Sequence, residues 1–257
     1  MDLGLRGKVA AVTGGSDGIG KATAMRLAQE GASVAICARR AEVLQQAADA
    51  IAAAGGSVLA VVADVTNPAD CQRFIGETVA RFGRLDILVN NAGTSNAHPF
   101  EAVDDEVWQQ DLELKLFGAI RCARAAIPHM KQQGGGRIIN ITMVGGKQPG
   151  KSSMPTTISR AAGQAFTKGL SRDLAEFNIL VNTVCIGLIK SGQMRRGAER
   201  SGLTPEQRYE QMGKNIPLGR VGEAAEAANV IAFLASEAAS YITGAAINVD
   251  GGMSGVL

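Results

Sequence analysis

The sequence predicts a doubly wound α/β domain, in which one parallel sheet is covered by helices on both faces. Short apolar runs rich in β-forming residues alternate with segments of helical periodicity along all 257 residues. The apolar runs are continuous, a pattern typical of parallel strands that are buried on both faces. Because no linker, low-complexity tract or internal repeat interrupts this alternation, we expect a single domain over residues 1–257.

Each element is predicted from its own residues. Seven apolar runs predict strands over Lys8–Thr13, Ser33–Ala38, Val58–Asp64, Leu85–Asn90, Arg137–Thr142, Leu180–Cys185 and Ala246–Val249. Six periodic segments predict helices over Ile19–Glu30, Ala41–Ala54, Ala69–Phe82, Asp105–Gln132, Ile158–Phe177 and Ala224–Ala235. Asn67 followed by Pro68 is a favourable helix start. Gly31, Gly55 and Gly83 follow three of the helices, where C-terminal caps are expected.

The stretch 187–222 is the one irregular segment of the chain. It is polar and rich in Gly and Arg, and a short helix is predicted within it near Pro205–Gly213. A long loop in a compact domain is usually a lid or a substrate-binding loop. We therefore predict a substrate lid over residues 187–222.

Composition and charge argue against several classes of function. The net charge is only +2 and no dense stripe of Lys and Arg is present, so nucleic-acid binding is not expected. The four cysteines are far apart and only two histidines are present, which leaves little for a metal site. No apolar run approaches 18 residues and no apolar signal region follows Asp2. We expect a cytoplasmic protein without a membrane segment, and buried thiols at Cys37 and Cys185.

A glycine-rich turn after the first strand predicts a nucleotide site. The strand Val9–Thr13 is followed by Gly14-Gly15-Ser16-Asp17-Gly18-Ile19-Gly20 and then by a helix. Glycines at such a turn let the backbone approach a pyrophosphate, whose charge is favoured by the free N–H groups of the helix N-terminus. The spacing Thr-Gly-x-x-x-Gly-x-Gly resembles the fingerprint of the short-chain dehydrogenase/reductase family.

Further motifs resemble the same family over nearly the whole chain. They are Asp64-Val65 after the third strand, Asn90-Asn91-Ala92-Gly93 after the fourth, Val181-Asn182 with Cys185-Ile186-Gly187, and the run from Ile216 to Gly252. The resemblance implies a Rossmann-type domain with a seven-stranded parallel sheet in the order 3-2-1-4-5-6-7. It also implies a small-molecule substrate and a homotetramer, or else a homodimer.

The family's nucleotide-binding positions carry over residue by residue. The resemblance places the cofactor at Gly14, Ser16, Asp17, Gly18, Ile19, Gly20, Arg39, Arg40, Asp64, Val65, Asn91, Ala92, Gly93, Arg160, Gly187 and Ile189. Where an acidic residue would hold the ribose of NAD, the chain has Arg39 and Arg40, which suit the 2′-phosphate of NADP. Asp17 argues against NADP, and a solvated turn would also explain the arginines. We predict NADP, with NAD as the alternative.

The positions that handle the proton differ from the family's pattern. In place of Tyr-x-x-x-Lys the chain has Thr156 and Arg160, in place of the catalytic Ser it has Met143, and in place of the helix Asn it has Lys115. Threonine is a far weaker acid than tyrosine, arginine keeps its proton, and methionine offers no useful donor. We take Lys115, Arg160 and Thr156 as the candidate catalytic residues.

Three functions stay open at this point. The chain is predicted to be an NADP-dependent oxidoreductase in which Lys115 handles the proton, because burial and a nearby cation lower a lysine pKa. A structural or outward lysine is the alternative for Lys115. The chain is otherwise an inactive NADP(H)-binding protein, or it hosts non-redox chemistry.

Other polar residues of the same segments are weaker candidates. The hydroxyls of Thr142, Ser152, Ser153 and Ser159 are candidates for positioning a carbonyl oxygen, or ordinary backbone-bonding hydroxyls. The cations Lys147, Lys151, Arg160 and Lys190 would suit an anionic substrate or an acyl thioester, if they are not merely solvated.

Overall fold

A computed structural model describes residues 2–256, and its central element is a parallel β-sheet. The strands are β1 Val9–Thr13, β2 Ser33–Ala38, β3 Val58–Val62, β4 Ile87–Asn90, β5 Ala97–His98, β6 Gly136–Met143, β7 Met154–Pro155, β8 Ile179–Ile186 and β9 Ala246–Val249. Seven of them form one sheet in the order β3-β2-β1-β4-β6-β8-β9, and β5 pairs with β7 in a separate short ladder. Every neighbouring pair of the large sheet is parallel.

This sheet confirms the predicted fold. Without the two short strands, the order is the 3-2-1-4-5-6-7 expected from the sequence. The order reverses between β1 and β4, so a crevice opens at the carboxyl ends of these two strands, where open α/β sheets bind ligands.

The helices are α1 Gly18–Gln29, α2 Ala41–Ala53, α3 Pro68–Phe82, α4 Asp105–Leu112, α5 Gly118–Gln132, α6 Thr156–Leu174, α7 Gly192–Arg200, α8 Pro205–Gly213 and α9 Ala224–Leu234. Asn67 caps α3 through its side chain, and Gly83 ends α3 in the left-handed conformation, as predicted. The single helix predicted over Asp105–Gln132 is instead α4 and α5 joined by a π-helical turn at Glu113–Phe117. Such turns widen a helix locally and are frequent at functional sites.

Two apolar layers cover the sheet. Alternate residues of β1 point to opposite faces, so Ala10 and Val12 join one cluster of buried side chains while Val9 and Ala11 join the other. The first cluster packs under α1, α2 and α9 and the second under α3, α5 and α6. All four cysteines are buried free thiols, which confirms the prediction for Cys37 and Cys185.

The segment 187–222 contains one helix that the sequence did not predict. Alongside the expected α8 it forms α7, which begins where the Ser191 hydroxyl accepts a hydrogen bond from the Met194 N–H at 3.3 Å. Met194 and Ala198 are the only apolar side chains of α7, which are too few to predict a helix from the sequence. Tertiary contacts with α8 and the glycine-rich turn hold α7 in place.

A ladder of buried polar side chains connects four elements below the crevice. The Asn90 amide donates to the Asn140 amide oxygen at 2.9 Å, and Asn140 donates to the Thr167 hydroxyl at 2.8 Å. Thr167 in turn shares a 2.6 Å hydrogen bond with Thr183. The ladder joins β4, β6, α6 and β8, and it orients the strand ends that carry the site.

Removal of Asn140 from this ladder is expected to destabilise the fold. Asn140→Ala leaves the Asn90 amide and the Thr167 hydroxyl short of a buried partner, so we expect a loss of about 2–3 kcal/mol in the free energy of unfolding. Urea denaturation measures this loss. The matched control is Gln45→Ala, which removes an exposed amide of α2 and is expected to change stability by less than about 0.5 kcal/mol. Equal effects of the two variants would contradict the role of the ladder.

Candidate functional site

A cleft of about 870 Å³ opens at the carboxyl ends of the central strands. Its walls come from the glycine-rich turn, the segments that follow β2, β3, β4 and β8, the start of α6, and the lid. The cleft is therefore assembled from segments distant in sequence, and the parallel sheet brings them to one edge.

The ends of β1 and β4 are tied together at the base of the cleft. The Thr13 hydroxyl accepts hydrogen bonds from the backbone N–H groups of Asn91 and Ala92, both at 3.0 Å. The Asn91 side chain donates back to the carbonyl oxygens of Thr13 and Gly14, at 3.0 and 3.2 Å. These bonds fix the distance between the two strand ends across the crevice.

Two glycines are required at this junction by close packing. Gly14 has φ of +65°, and a Cβ there would lie 2.9 Å from the Asn91 amide nitrogen. A Cβ at Gly20 would collide with the Gly14 carbonyl oxygen. Gly20 therefore packs behind the turn and does not line the cleft, whereas each of the other residues predicted for the cofactor site does. The glycine-rich backbone leaves room for a pyrophosphate at the start of α1.

Asp17 is neutralised by a partner that the sequence did not reveal. Its carboxylate caps α1 by accepting from the Gly18 N–H at 2.8 Å and also pairs with Arg195 of α7 at 3.3 Å. A Cβ at Gly192 would collide with this carboxylate, so the start of α7 rests directly on the turn. The argument that Asp17 repels a phosphate is weakened, because its charge is already compensated.

Two further hydrogen bonds hold α7 over the cleft. The Gln193 side chain accepts from the Ser95 N–H and donates to the Ser95 carbonyl oxygen, both at 3.2 Å. Ser95 follows β4, so α7 bridges from the glycine-rich turn to the segment after that strand. Residues of the segment 187–222 thus line the cleft, and its role as a substrate lid stays a prediction.

Basic side chains surround the end of β2. Arg39 is 65% exposed and lies 3.8 Å from the Asp64 carboxylate. Arg40 lines both the cleft and a neighbouring pocket of about 310 Å³, whose wall also carries Lys21, Arg195 and Arg196. A pocket with these four cations, which also includes Ser16 and Asp17, suits a phosphate group.

Arg160 and Met143 both line the cleft. The Arg160 guanidinium donates to the Ile141 carbonyl oxygen at 2.7 Å and occupies the space beside Gly93, where a Cβ would clash with it. Burial lowers the pKa of Arg160 to about 10, and the nearby Asp111 opposes this, so the guanidinium stays charged at neutral pH.

Lys115 is buried, with 1% of its side chain exposed, so the outward alternative for this residue is wrong. Its ammonium donates to the Asp111 carboxylate and to the Thr156 hydroxyl, the latter at 2.5 Å. Burial lowers the pKa of Lys115 to about 8, the charge of Arg160 adds to this effect, and Asp111 opposes it. Lys115 does not line the cleft itself, because Thr156 stands between the ammonium and the open space.

The Thr156 hydroxyl has one hydrogen-bonding capacity left. Its oxygen accepts from Lys115 and from the Asn96 N–H at 2.9 Å, which uses both lone pairs. No acceptor for its own O–H is found in residues 2–256, and Thr156 lines the cleft. The hydroxyl is thus free to donate to a molecule bound there.

Asp111 is the residue of the site that sequence reasoning missed. It is 3% exposed, and its second carboxylate oxygen accepts from the Ser159 hydroxyl at 2.6 Å. The only signal in the sequence is its spacing, since an acid four residues before Lys115 lies on the same helix face. That spacing usually indicates a solvated pair, and only the packing of α6 buries this one.

The remaining hydroxyl candidates are used elsewhere. Thr142 bonds to the Cys185 thiol, Ser153 donates to the Gly150 carbonyl, and Ser159 donates to Asp111. None of these three lines the cleft, nor does Ser152.

The prediction that four cations border the substrate cleft is wrong for three of them. Arg160 lines the cleft, whereas Lys147, Lys151 and Lys190 do not. Lys147 donates to the Ala246 carbonyl and to Asn248, and Lys190 pairs with Glu223. The cleft instead receives Arg196, Arg200 and Arg208 from the lid.

Neither a metal-ligand cluster nor a membrane-spanning helix is present in the described part of the chain. Across residues 2–256 no group of three or more His, Cys, Asp or Glu side chains is placed to hold a metal ion. In the same range, no helix has the length and hydropathy that a membrane crossing requires.

Known proteins resemble this chain over its whole length. A family model described as enoyl-(acyl carrier protein) reductase matches residues 14–254. The 3-oxoacyl-[acyl-carrier-protein] reductase of Synechocystis sp. is 38% identical over 251 residues, which cover 97% of this chain and 98% of that protein. Dehydrogenase/reductase SDR family member 4 of Homo sapiens is 34% identical and covers 96% of this chain and 88% of its own length. The structure of L-sorbose reductase from Gluconobacter frateurii with NADPH and L-sorbose superposes with a TM-score of 0.96, at 36% identity and 100% coverage of both chains.

The ion pair between Asp17 and Arg195 is expected to hold α7 against the glycine-rich turn. Arg195→Gln removes the pair and should raise the hydrogen-exchange rates of the α7 amides up to about fivefold, the range for a partly exposed ion pair. The matched control is Glu199→Gln, which changes an exposed charge on the same helix and should leave these rates unchanged. Equal exchange in both variants would show that the pair does not hold α7.

Proposed function

The chain belongs to the short-chain dehydrogenase/reductase family of oxidoreductases, and we propose that it is an atypical, NADP-dependent member that interconverts a carbonyl and a hydroxyl group. The observation that carries this proposal is the cleft, in which a nucleotide groove and a buried proton donor meet. When bound, the cofactor supplies or accepts the hydride. The residues of the chain must then orient the substrate and handle the proton.

The preference for NADP is supported by charge at the adenosine end of the groove. Arg39 and Arg40 take the place of the acidic residue that would hold the ribose of NAD, and Lys21 adds a third cation. Asp17 is paired with Arg195 and no longer opposes a phosphate. The related L-sorbose reductase was crystallised with NADPH, which supports the same assignment.

A route for the proton is supported by the contacts of Thr156. During reduction the Thr156 hydroxyl donates its hydrogen to the substrate oxygen as the carbonyl carbon receives the hydride. Lys115 donates a proton to the Thr156 oxygen in the same step, so no threonine alkoxide accumulates. After product leaves, a water molecule in the cleft donates a proton to the Thr156 oxygen, and the Thr156 hydroxyl passes its own proton to the neutral Lys115 amine. Oxidation of the alcohol follows the same route in reverse.

Asp111 and Arg160 set the conditions for this transfer. Asp111 holds the Lys115 ammonium in place, and the Ser159 hydroxyl holds Asp111. Arg160 takes the place of the family's lysine and is proposed to hold the cofactor ribose. Its positive charge also lowers the Lys115 pKa and so makes proton release easier near neutral pH.

A second function is an NADP(H)-binding protein without turnover. Met143 favours it, because this side chain lines the cleft where the family has a hydroxyl and supplies no donor to a substrate oxygen. Non-redox chemistry on the same groove is the third possibility. The predicted homotetramer and cytoplasmic location stay predictions.

The nucleotide groove is tested by equilibrium binding. We expect the protein to bind NADPH at least about tenfold more tightly than NADH, as one added charge-assisted contact would give. The double variant Arg39→Ala, Arg40→Ala should lose this preference, while Arg172→Ala, an exposed arginine of α6, should keep it. Titration of the cofactor fluorescence gives both dissociation constants. Equal affinity for NADPH and NADH in the unaltered protein would contradict the NADP assignment.

The proton route is tested by turnover on a panel of ketones and acyl thioesters. Lys115→Met and Thr156→Val should each lower kcat/KM for reduction by about 100-fold or more, because each breaks the route. Thr156→Ser keeps a hydroxyl and should retain most activity. The rate of reduction should fall as pH rises through about 8, since Lys115 then loses the proton that it must supply. In Lys115→Met this fall should vanish.

Asp111→Asn separates a positioning role from a structural one. Because Asp111 raises the Lys115 pKa, its removal should move the alkaline fall in rate to lower pH. A purely structural role would lower activity at every pH without moving the profile. NADPH binding without turnover of any probe would favour the inactive alternative, and a pH profile unaltered in Lys115→Met would exclude Lys115 as the proton source.

A further inference from the structure

Four arginines of the segment 187–222 lie at the cleft or at the basic pocket beside the glycine-rich turn. Arg195 lines only that pocket and is already paired with Asp17, whereas Arg196 lines both spaces. Arg200, at the end of α7, and Arg208 of α8 line the main cleft but not the pocket. These two arginines are therefore available to a ligand other than the adenosine end of a nucleotide.

Arg200 and Arg208 retain most of their hydrogen-bonding capacity. The Arg200 Nε donates to the Arg196 carbonyl oxygen at 3.3 Å, and the Arg208 Nη1 donates to the Ser201 hydroxyl at 3.4 Å. A guanidinium carries five N–H donors, so several remain free on each. Among residues 2–256, no carboxylate lies within 4.0 Å of either guanidinium.

Packing places the Arg208 side chain against α7, the helix that carries Arg200. A Cβ at Gly197 would lie 3.9 Å from the Arg208 Nε, so Arg208 reaches across α7 where this helix has no side chain. Arg196 and Arg200 are four residues apart on α7, a spacing at which like charges repel. An oxyanion between the arginines would relieve this repulsion and use their free donors.

The cleft also has apolar lining. Leu188, Met194 and Met212 line it as well as the arginines, and methionine side chains adapt to ligands of different shape. A ligand that fits these walls has an apolar body and one anionic end.

We propose that Arg200 and Arg208 form a subsite for the anionic end of the substrate, a carboxylate or a phosphate. This proposal rests on the proposed function, since it assumes that a carbonyl compound reacts at Thr156 in the same cleft. The lid arginines then select oxyanion-bearing carbonyl compounds over neutral ones.

Matched probes test the proposal. The anionic probes are 4-oxopentanoate, dihydroxyacetone phosphate and acetoacetyl-coenzyme A, and their neutral counterparts are 4-oxopentanamide, dihydroxyacetone and acetoacetyl-N-acetylcysteamine. Each is assayed for NADPH-dependent turnover, and its binding to the NADPH-saturated protein is measured by ligand-observed NMR. The binding measurement works without turnover, so it remains informative if the proposed function fails.

We expect at least one anionic probe to be preferred over its neutral counterpart by about tenfold or more. Arg200→Gln and Arg208→Gln should each reduce that preference about tenfold, with the neutral probe unchanged. The matched control is Lys214→Gln, which removes an exposed positive charge just after α8 that does not line the cleft. The affinity for NADPH should stay within about twofold in all three variants.

Three results would overturn the subsite. One is the absence of any preference for anionic probes in the unaltered protein. Another is a preference that survives in both arginine variants. The third is weakened NADPH binding with an unchanged probe preference, which would assign the two arginines to the cofactor. If anionic probes bind in an arginine-dependent manner but none turns over, the subsite stands and the oxidoreductase function fails.

Discussion

The tie between the ends of β1 and β4 is the constraint on which the rest of the site depends. Thr13 and Asn91 exchange four hydrogen bonds across the crevice with their neighbours, and Gly14 and Gly20 allow the backbones to approach. A side chain at Gly20 would push the turn away from Asn91. The groove, the start of α1 and the place where α7 rests on the glycine-rich turn all take their positions from this junction.

The proton-handling half is built differently, on a buried charge pair. Lys115 and Asp111 are both 1% exposed at their side chains, and burial of two charges is costly unless every polar atom is satisfied. The hydroxyls of Thr156 and Ser159 supply the additional hydrogen bonds. The π-helical turn carries Lys115 into this environment. Such a cluster offers little net stability, in keeping with the proton-transfer role proposed for it.

The start of α7 is held over the cleft by interactions that differ from those of the groove. Its ion pair to Asp17 is partly exposed, and its contacts with Ser95 are neutral hydrogen bonds. The segment 187–222 brings Arg196, Arg200 and Arg208 to the cleft that also receives Arg160.

The sequence by itself determined the fold and the groove, because these follow from local patterns. Continuous apolar runs, helix caps such as Asn67 and the spacing of Gly14, Gly18 and Gly20 act within a few residues of each other. The tertiary structure alone decided the rest. Thr156 lies 41 residues from Lys115, and Asp17 lies 178 residues from Arg195, so neither pairing leaves a local signal. Asp111 has the sequence position of an ordinary helix acid, and only its burial makes it part of the site. The cations that the segment 187–222 contributes to the cleft are arginines of α7 and α8, because the packing of these helices brings them there and the expected lysines lie elsewhere.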